Sequence, residues 1–251
     1  MFSAAFDASG TEHDQEALVV AGFIAPAAVW IDFGKAWRAR LAEEGLSDFH
    51  MADFMKGYGV YSEWKNDKAR RAALLSDLIG IVQSHASRQF GCAVVIGELH
   101  SLTTKSNRDR FLMHAYCLAA IMSITQVQRW CHRERIVSPP EFIFEKGDDK
   151  QHEFRLRMQA DSEVGPVFRW KKDTMDKRGQ LVLGYTPLQA ADMLAYECFQ
   201  ATTRYASRRP PQPTWMSKQF DRMAGDVSIW ECENLQKLED YMNQERSRGG
   251  I

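Results

Sequence analysis

The chain has 251 residues, of which 45% are hydrophobic and 26% are charged. These proportions are those of ordinary folded domains, and they exclude an intrinsically disordered chain, a collagen-like repeat and a coiled-coil array. The 32 Lys and Arg residues nearly balance the 33 Asp and Glu residues, so the net charge of -1 predicts that any contact with a polyanion is local.

The sequence predicts neither a membrane span nor a secretory signal. The longest apolar stretch, 17–31, is broken by Pro26 and is shorter than the roughly 20 residues that cross a bilayer. The N-terminal segment lacks basic residues and reaches an acid at Asp7, which argues against a secretory signal. The five cysteines form no Cys-x-x-Cys pair, so neither a disulfide framework nor a zinc ribbon is indicated. We expect a cytoplasmic protein with no membrane partner, and the sequence does not indicate its oligomeric state.

The first half of the chain predicts strands followed by helices. Two short apolar runs, 2–6 and 17–24, lie on either side of a turn-rich segment, which is typical of a β-hairpin. Helical spacing follows over 27–44 and 67–87, and the irregular segment 47–64 between these helices predicts an ordered insertion.

The second half predicts a sheet enclosed by helices. The continuous apolar run 89–99 is typical of a strand covered on both faces. Further along the chain, the patterns predict helices at 109–132, 151–160 and 186–205, strands at 141–145 and 167–171, and a helical tail at 219–251.

This order of elements predicts an α/β domain with a mixed sheet flanked by helices and opening with a β-hairpin. We place the main domain at 1–215, with a helical insertion around 27–87, and a helical extension of the same domain at 216–251. The sequence has no glycine-rich phosphate loop, which disfavours a nucleotide cofactor.

Three acids stand out as candidate functional residues. Asp7 ends the first strand, although an aspartate before a turn often only bonds the nearby backbone. Glu145 ends the strand 141–145, and its alternative role is a solvent-facing loop charge. Asp192 lies inside an apolar helix, where an unpartnered carboxylate would cost several kcal/mol. We therefore expect Asp192 to meet a cation, a hydrogen-bond donor or a metal, the simplest partner being an arginine.

Several motifs resemble a bacterial family, the domain-of-unknown-function 3800 proteins, over most of the chain. The opening strand ends in Asp7-Ala8-Ser9-Gly10, where the family has Asp-Glu-Ser-Gly, and the second strand ends at Pro26. Phe49-His50 corresponds to a Leu-His segment of the family, and Gln189-Ala190-Ala191-Asp192 corresponds to its helical Gln-x-Ala-Asp motif. The resemblance implies a ribonuclease H-like fold.

The resemblance further implies that Asp7, Glu145 and Asp192 form a catalytic carboxylate cluster that holds Mg²⁺ or Mn²⁺. Oxygen ligands suit these ions, and two such cations would activate water and stabilise the leaving oxygen of a phosphodiester. The implied function is that of a metal-dependent nuclease, or related phosphodiesterase, that hydrolyses RNA or DNA.

One departure from the family motif puts full catalysis in doubt. Ala8 stands where the family has glutamate, so one acid is missing beside Asp7. Asp148, or its neighbour Asp149, is the candidate replacement and a further candidate metal ligand. The alternative function is that of a catalytically inactive relative that binds nucleic acid or a protein.

The sequence also offers several candidate residues for contacts with the substrate. Gln189 lies one helical turn before Asp192, where it would orient the carboxylate or contact substrate. The alternative role of His50 is structural, and the alternative role of the basic residues is to form a solvated surface. Glu197 is predicted to be a solvated charge. The candidate substrate-binding residues are Ser9, His50, Gln189, Lys171, Lys172, Arg208 and Arg209.

Overall fold

The computed structural model describes residues 1–13, 15–147, 150–161 and 165–248. Its strands are β1 (Phe2–Ser9), β2 (Ala17–Pro26), β3 (Arg88–Val95), β4 (Glu141–Glu145), β5 (Val167–Arg169), β6 (Thr174–Met175), β7 (Leu181–Val182) and β8 (Gly225–Trp230). Its helices are α1 (Ala27–Glu43), α2 (Met51–Lys56), α3 (Lys68–His85), α4 (Ile96–Leu102), α5 (Lys105–Phe111), α6 (Ala115–Arg133), α7 (Gln151–Asp161), α8 (Pro187–Ala206), α9 (Trp215–Phe220) and α10 (Cys232–Ser247). A 3₁₀ turn, Gly59–Trp64, lies between α2 and α3.

A mixed six-stranded sheet in the order β5-β4-β1-β2-β3-β8 forms the centre of the molecule. The opening hairpin and β3 pair antiparallel, whereas β4 and β5 continue from β1 in parallel. The carboxyl ends of β1, β4 and β5 therefore share one edge of the sheet. The predicted α/β class, the mixed sheet and the opening hairpin are confirmed.

Helices cover both faces of the sheet because its central strands are apolar on both sides. In β2, Val19, Ala21 and Phe23 pack in the layer that contains α1, α3 and α8. The alternate residues Leu18 and Val20 pack in the layer that contains α6 and α10. This alternation follows from the two-residue period of a strand and explains why β2 is almost continuously apolar.

The structure divides two segments that the sequence pattern joins. The strand predicted over 89–99 ends at Val95, where its ladder with β2 ends at Ala17, and Ile96 begins α4. The helix predicted over 109–132 is two helices, because Leu112 adopts a left-handed backbone with φ of 54° and ends α5. Apolar spacing continues through both breaks and so does not reveal them.

The predicted all-helical tail is also wrong in part. Gly225–Trp230 forms β8, which extends the sheet by pairing in parallel with β3. β8 is a short, half-exposed edge strand, so it lacks the apolar run that marks the buried strands. The small β6–β7 hairpin, which follows β5, is likewise absent from the prediction.

Within the described residues, each helix taken singly is too short or too polar to cross a membrane. Only α5 and α6 together reach the required length and composition, and they are bent by 55° relative to each other. Much of α6 is buried against the sheet, where residues such as Cys117 and Val127 belong to the core.

Candidate active site

Asp7 and Glu145 are neighbours because of the register between β1 and β4. The parallel ladder pairs Phe6 with Phe144, so the next residue of each strand is one of these two acids. Both side chains point to the face on which Ala5 and Ile143 lie, which α8 covers through Leu188. Two acids that are 138 positions apart in the chain thus meet at one edge of the sheet.

α8 brings the third acid to this edge. Asp192 is 6% exposed and lies in the second turn of the helix. Its Oδ2 accepts a hydrogen bond of 2.6 Å from the backbone N–H of Met51, the first residue of α2. The three acids on which the functional prediction depends are therefore brought together by β1, β4 and α8.

The amino group of Lys171 lies in the middle of these acids. Its Nζ is 3.0 Å from Asp7 Oδ2, 2.7 Å from Glu145 Oε2 and 3.7 Å from Asp192 Oδ1. The Lys171 side chain is 13% exposed, so these contacts are largely shielded from solvent. We call these four residues the carboxylate cluster. Lys171 supplies the cation expected near the buried Asp192, and the Met51 backbone N–H supplies its hydrogen-bond donor.

The charges of the cluster are not balanced by one lysine. Burial, together with the neighbouring Asp7 charge, raises the pKa of Glu145 to about 9, although Lys171 opposes the change. Burial also raises the pKa of Asp192. Burial alone would lower the pKa of Lys171, but the three carboxylates outweigh it and raise that pKa. The surroundings therefore favour a protonated Glu145 and a charged Lys171.

Gln189 holds together the segments around the cluster. It is 2% exposed, and its Oε1 accepts hydrogen bonds from Trp37 Nε1 at 2.8 Å and from the Phe49 backbone N–H at 2.9 Å. Its Nε2 donates a 2.7 Å bond to the Lys171 carbonyl. Of its two expected roles, this geometry supports positioning of the site, since both amide atoms already have partners in the protein.

His50 lies at the border of the cluster, immediately before α2. Its Nδ1 is 2.8 Å from Asp53 Oδ2, and its side chain is 38% exposed. The next residue, Met51, is anchored to Asp192 by its backbone. The Asp53 contact fixes the orientation of the imidazole ring.

The other predicted substrate contacts lie at different distances from the cluster. Ser9 ends β1 two residues after Asp7 and so shares its face of the strand, and Lys172 is exposed beside Lys171. Arg208 and Arg209, just after the end of α8, line a cavity of about 1230 Å³ that runs along the second half of this helix. That end is about 20 Å from Asp192, since an α-helix rises 1.5 Å per residue.

Two further predictions have different outcomes. The predicted solvated charge Glu197 is instead 7% exposed and accepts a hydrogen bond from Thr214 Oγ1, so that prediction is wrong. The candidate acids Asp148 and Asp149 lie outside the described residues.

The sequence pattern did not indicate the position of Lys171. It assigned this lysine to a basic patch for phosphate, because Arg169 and Lys172 lie close to it on the chain. The only available signal was the position of Lys171 two residues beyond β5, whose carboxyl end lies beside that of β4. A lysine at that strand end is adjacent to Glu145 in space.

No group of three or more His, Cys, Asp and Glu side chains is arranged to hold a metal ion in the described part of the chain. In the carboxylate cluster, the oxygens converge on an ammonium nitrogen instead. A scan against models of protein families and a search of curated proteins both find no match to this chain. The resemblance to the domain-of-unknown-function 3800 family therefore stays a prediction.

Proposed function

We propose that this chain is a metal-dependent nuclease that hydrolyses phosphodiester bonds of nucleic acid and has a ribonuclease H-like fold. The convergence of the Asp7, Glu145 and Asp192 carboxylates on one point carries the proposal. The mixed sheet with a central opening hairpin and helices on both faces supports the fold. The cytoplasmic location and the family stay predictions.

The donor chemistry of the cluster fits Mg²⁺ or Mn²⁺, which prefer carboxylate oxygens. The oxygens already stabilise one positive charge, the Lys171 ammonium, at the point where they meet. Their distances from it exceed the roughly 2.1 Å of a magnesium–oxygen bond, so a metal requires the oxygens to close in and Lys171 to leave. Asp7, Glu145 and Asp192 would then be its ligands, and a bound divalent cation supplies an activated water and stabilises the leaving oxygen.

The residues around the cluster have supporting roles in this proposal. Gln189 and the backbone of Met51 hold α2 and the lysine segment against α8. His50, with Nδ1 held by Asp53, exchanges a proton with the substrate through Nε2. The exposed Lys172 beside the cluster binds a phosphate oxygen of the nucleic acid.

The second candidate function is that of an inactive relative that binds nucleic acid or a protein. Two observations favour it. Ala8 removes one acid from the opening motif, and Lys171 already provides the carboxylates with a counter-charge. In this alternative, the cluster is a structural ion-pair network, and its acids never bind metal.

Thermal melting in a titration of Mn²⁺ and Mg²⁺ distinguishes the two functions without a known substrate. The nuclease proposal predicts that metal raises the melting temperature of the wild type by mass action, and that Asp192→Asn loses this response. Glu197→Gln is the matched control, because Glu197 is a buried acid of the same helix outside the cluster. A wild type that does not respond to either metal would support the inactive relative.

A further inference from the structure

The Lys171 ammonium and a divalent metal ion compete for one position. The ammonium nitrogen lies within 3.7 Å of an oxygen from each of the three acids, and the side chain is mostly buried. A metal ion bonded to the same oxygens would stand where this nitrogen stands. The metal ion and the ammonium would repel each other strongly at this one buried position, so the cluster cannot hold both at the same time.

The backbone around Lys171 is held by hydrogen bonds, so displacement of the ammonium has to come from the side chain. The Trp170 carbonyl accepts a 2.8 Å hydrogen bond from the Tyr185 N–H, and the Lys171 carbonyl is bonded to Gln189. Gly184 also packs so closely on Lys172 that a Cβ there would lie 2.5 Å from the Lys172 carbonyl carbon. The segment is thus held on both sides. Only rotation of the four-carbon lysine stem can vacate the cluster without moving the backbone.

The charge of the cluster favours the exchange of one cation for another. Three carboxylates face a single ammonium, so the cluster lacks positive charge when all of its acids are ionised. A divalent ion supplies one more positive charge than the lysine it replaces. In the metal-free protein, the lysine in turn reduces the repulsion between the carboxylates, which would otherwise destabilise the fold.

We propose that Lys171 is a tethered cation that occupies the carboxylate cluster without metal, is displaced when metal binds and so sets the metal concentration at which the site fills. This inference rests on the proposed metal-dependent function and assigns a regulator of the same site. It predicts that removal of the ammonium tightens metal binding.

The first test measures Mn²⁺ affinity by calorimetry for the wild type, Lys171→Met and Lys172→Met. Lys172→Met is the matched control, since it removes the same charge from the adjacent exposed position. We expect Lys171→Met to bind Mn²⁺ roughly tenfold or more tightly than the wild type, because no ammonium has to be displaced. Lys172→Met should stay within about twofold of the wild type. Lys171→Arg, which keeps the charge, should bind no more tightly than the wild type.

The second test uses the wild-type protein, in case Lys171→Met does not fold. Acetic anhydride labels free lysine amino groups, and mass spectrometry of peptides compares Lys171 with Lys172. Lys171 should label slowly without metal, because it is buried and bonded to carboxylates. Saturating Mn²⁺ should raise its labelling several-fold relative to Lys172.

The outcomes separate this inference from the proposed function. Equal Mn²⁺ affinity of the wild type and Lys171→Met, with unchanged Lys171 labelling, would overturn the inference and leave the metal site standing. If Mn²⁺ binds to neither the wild type nor Lys171→Met, both the inference and the metal-dependent function fail.

Discussion

Two glutamates near the same edge of the sheet have opposite electrostatic environments. Burial together with the charge of Asp7 raises the pKa of Glu145 to about 9. Burial also acts on Glu12, in the loop after β1, but hydrogen bonds from His114 and His100 overcome it, and its pKa falls to about 2. Burial therefore has the same sign at both sites, and the neighbouring residues decide the outcome.

This difference in pKa separates Glu12, which has a structural role, from Glu145, which is a functional candidate. Glu12 also accepts a 3.1 Å hydrogen bond from the Ala115 N–H, so it ties the first loop to the start of α6. In the carboxylate cluster, Glu145 and Asp7 oppose each other, and one lysine serves three acids. Natural proteins tolerate such unfavourable charges mostly where they bind ions or substrates.

The largest expected effect is on cleavage. If the proposed function is right, Asp192→Asn should lower metal-dependent cleavage of RNA or DNA on the order of 1000-fold, because the cluster would lose one of the three carboxylates that hold the metal. Cleavage of labelled single-stranded and duplex oligonucleotides measures this loss. Its metal-free melting temperature should not fall, since the substitution relieves repulsion.

Glu12→Gln is expected to alter folding stability and to leave the cleavage chemistry intact. The folded pKa of Glu12 lies below its unfolded value, so its stabilisation is present above about pH 4.5 and is lost as the pH falls to about 2. Glu12→Gln should therefore lower the free energy of unfolding by up to roughly 3 kcal/mol at pH 7. Urea unfolding at several pH values measures this, with the exposed Glu16→Gln as control. A loss that is independent of pH would contradict the charge argument.

Glu145→Gln should have the opposite pH dependence in metal-free protein. The folded pKa of Glu145 lies above its unfolded value, so the wild type loses stability as the pH rises from about 4.5 to about 9. The slope contributed by this group is at most about 1.4 kcal/mol per pH unit. Glu145→Gln stays neutral and should lack that slope. Urea unfolding of both proteins at several pH values, in the presence of a chelator, measures this difference. The same change of unfolding free energy with pH in both proteins would contradict the prediction.

The smallest expected effect concerns Arg208 and Arg209, which belong neither to the carboxylate cluster nor to the hydrogen-bond partners of Glu12. If nucleic acid follows α8, Arg208→Gln with Arg209→Gln should weaken oligonucleotide binding a few-fold and reduce its salt dependence by up to about two phosphate contacts. Fluorescence anisotropy at several salt concentrations measures both changes. Unchanged binding and salt slope would restrict the substrate surface to the carboxylate cluster.

The elements that local periodicity marks were predictable. Local signals in the sequence mark three elements directly, either by an apolar pattern or by a residue typical of an element's end. These elements are the opening hairpin, the helix at 186–205 and the strand ending at Glu145. The break at Leu112 and the edge strand β8 were not predictable, because a local backbone angle and a distant ladder partner decide them. The three acids were predictable only as a set of candidates, since spacing along the chain says nothing of their separation in space.

The sequence by itself determined the alternation of strands and helices and the placement of one acid near the end of β1, one at the end of β4 and one inside a buried helix. Tertiary structure alone decided that these acids meet, that Lys171 lies among them and that Gln189 holds their surroundings together. Lys171 contacts Asp7 across 164 positions of the chain. Short-range patterns follow from the periods of helices and strands, whereas the charge state of a buried acid depends on neighbours that only folding brings near.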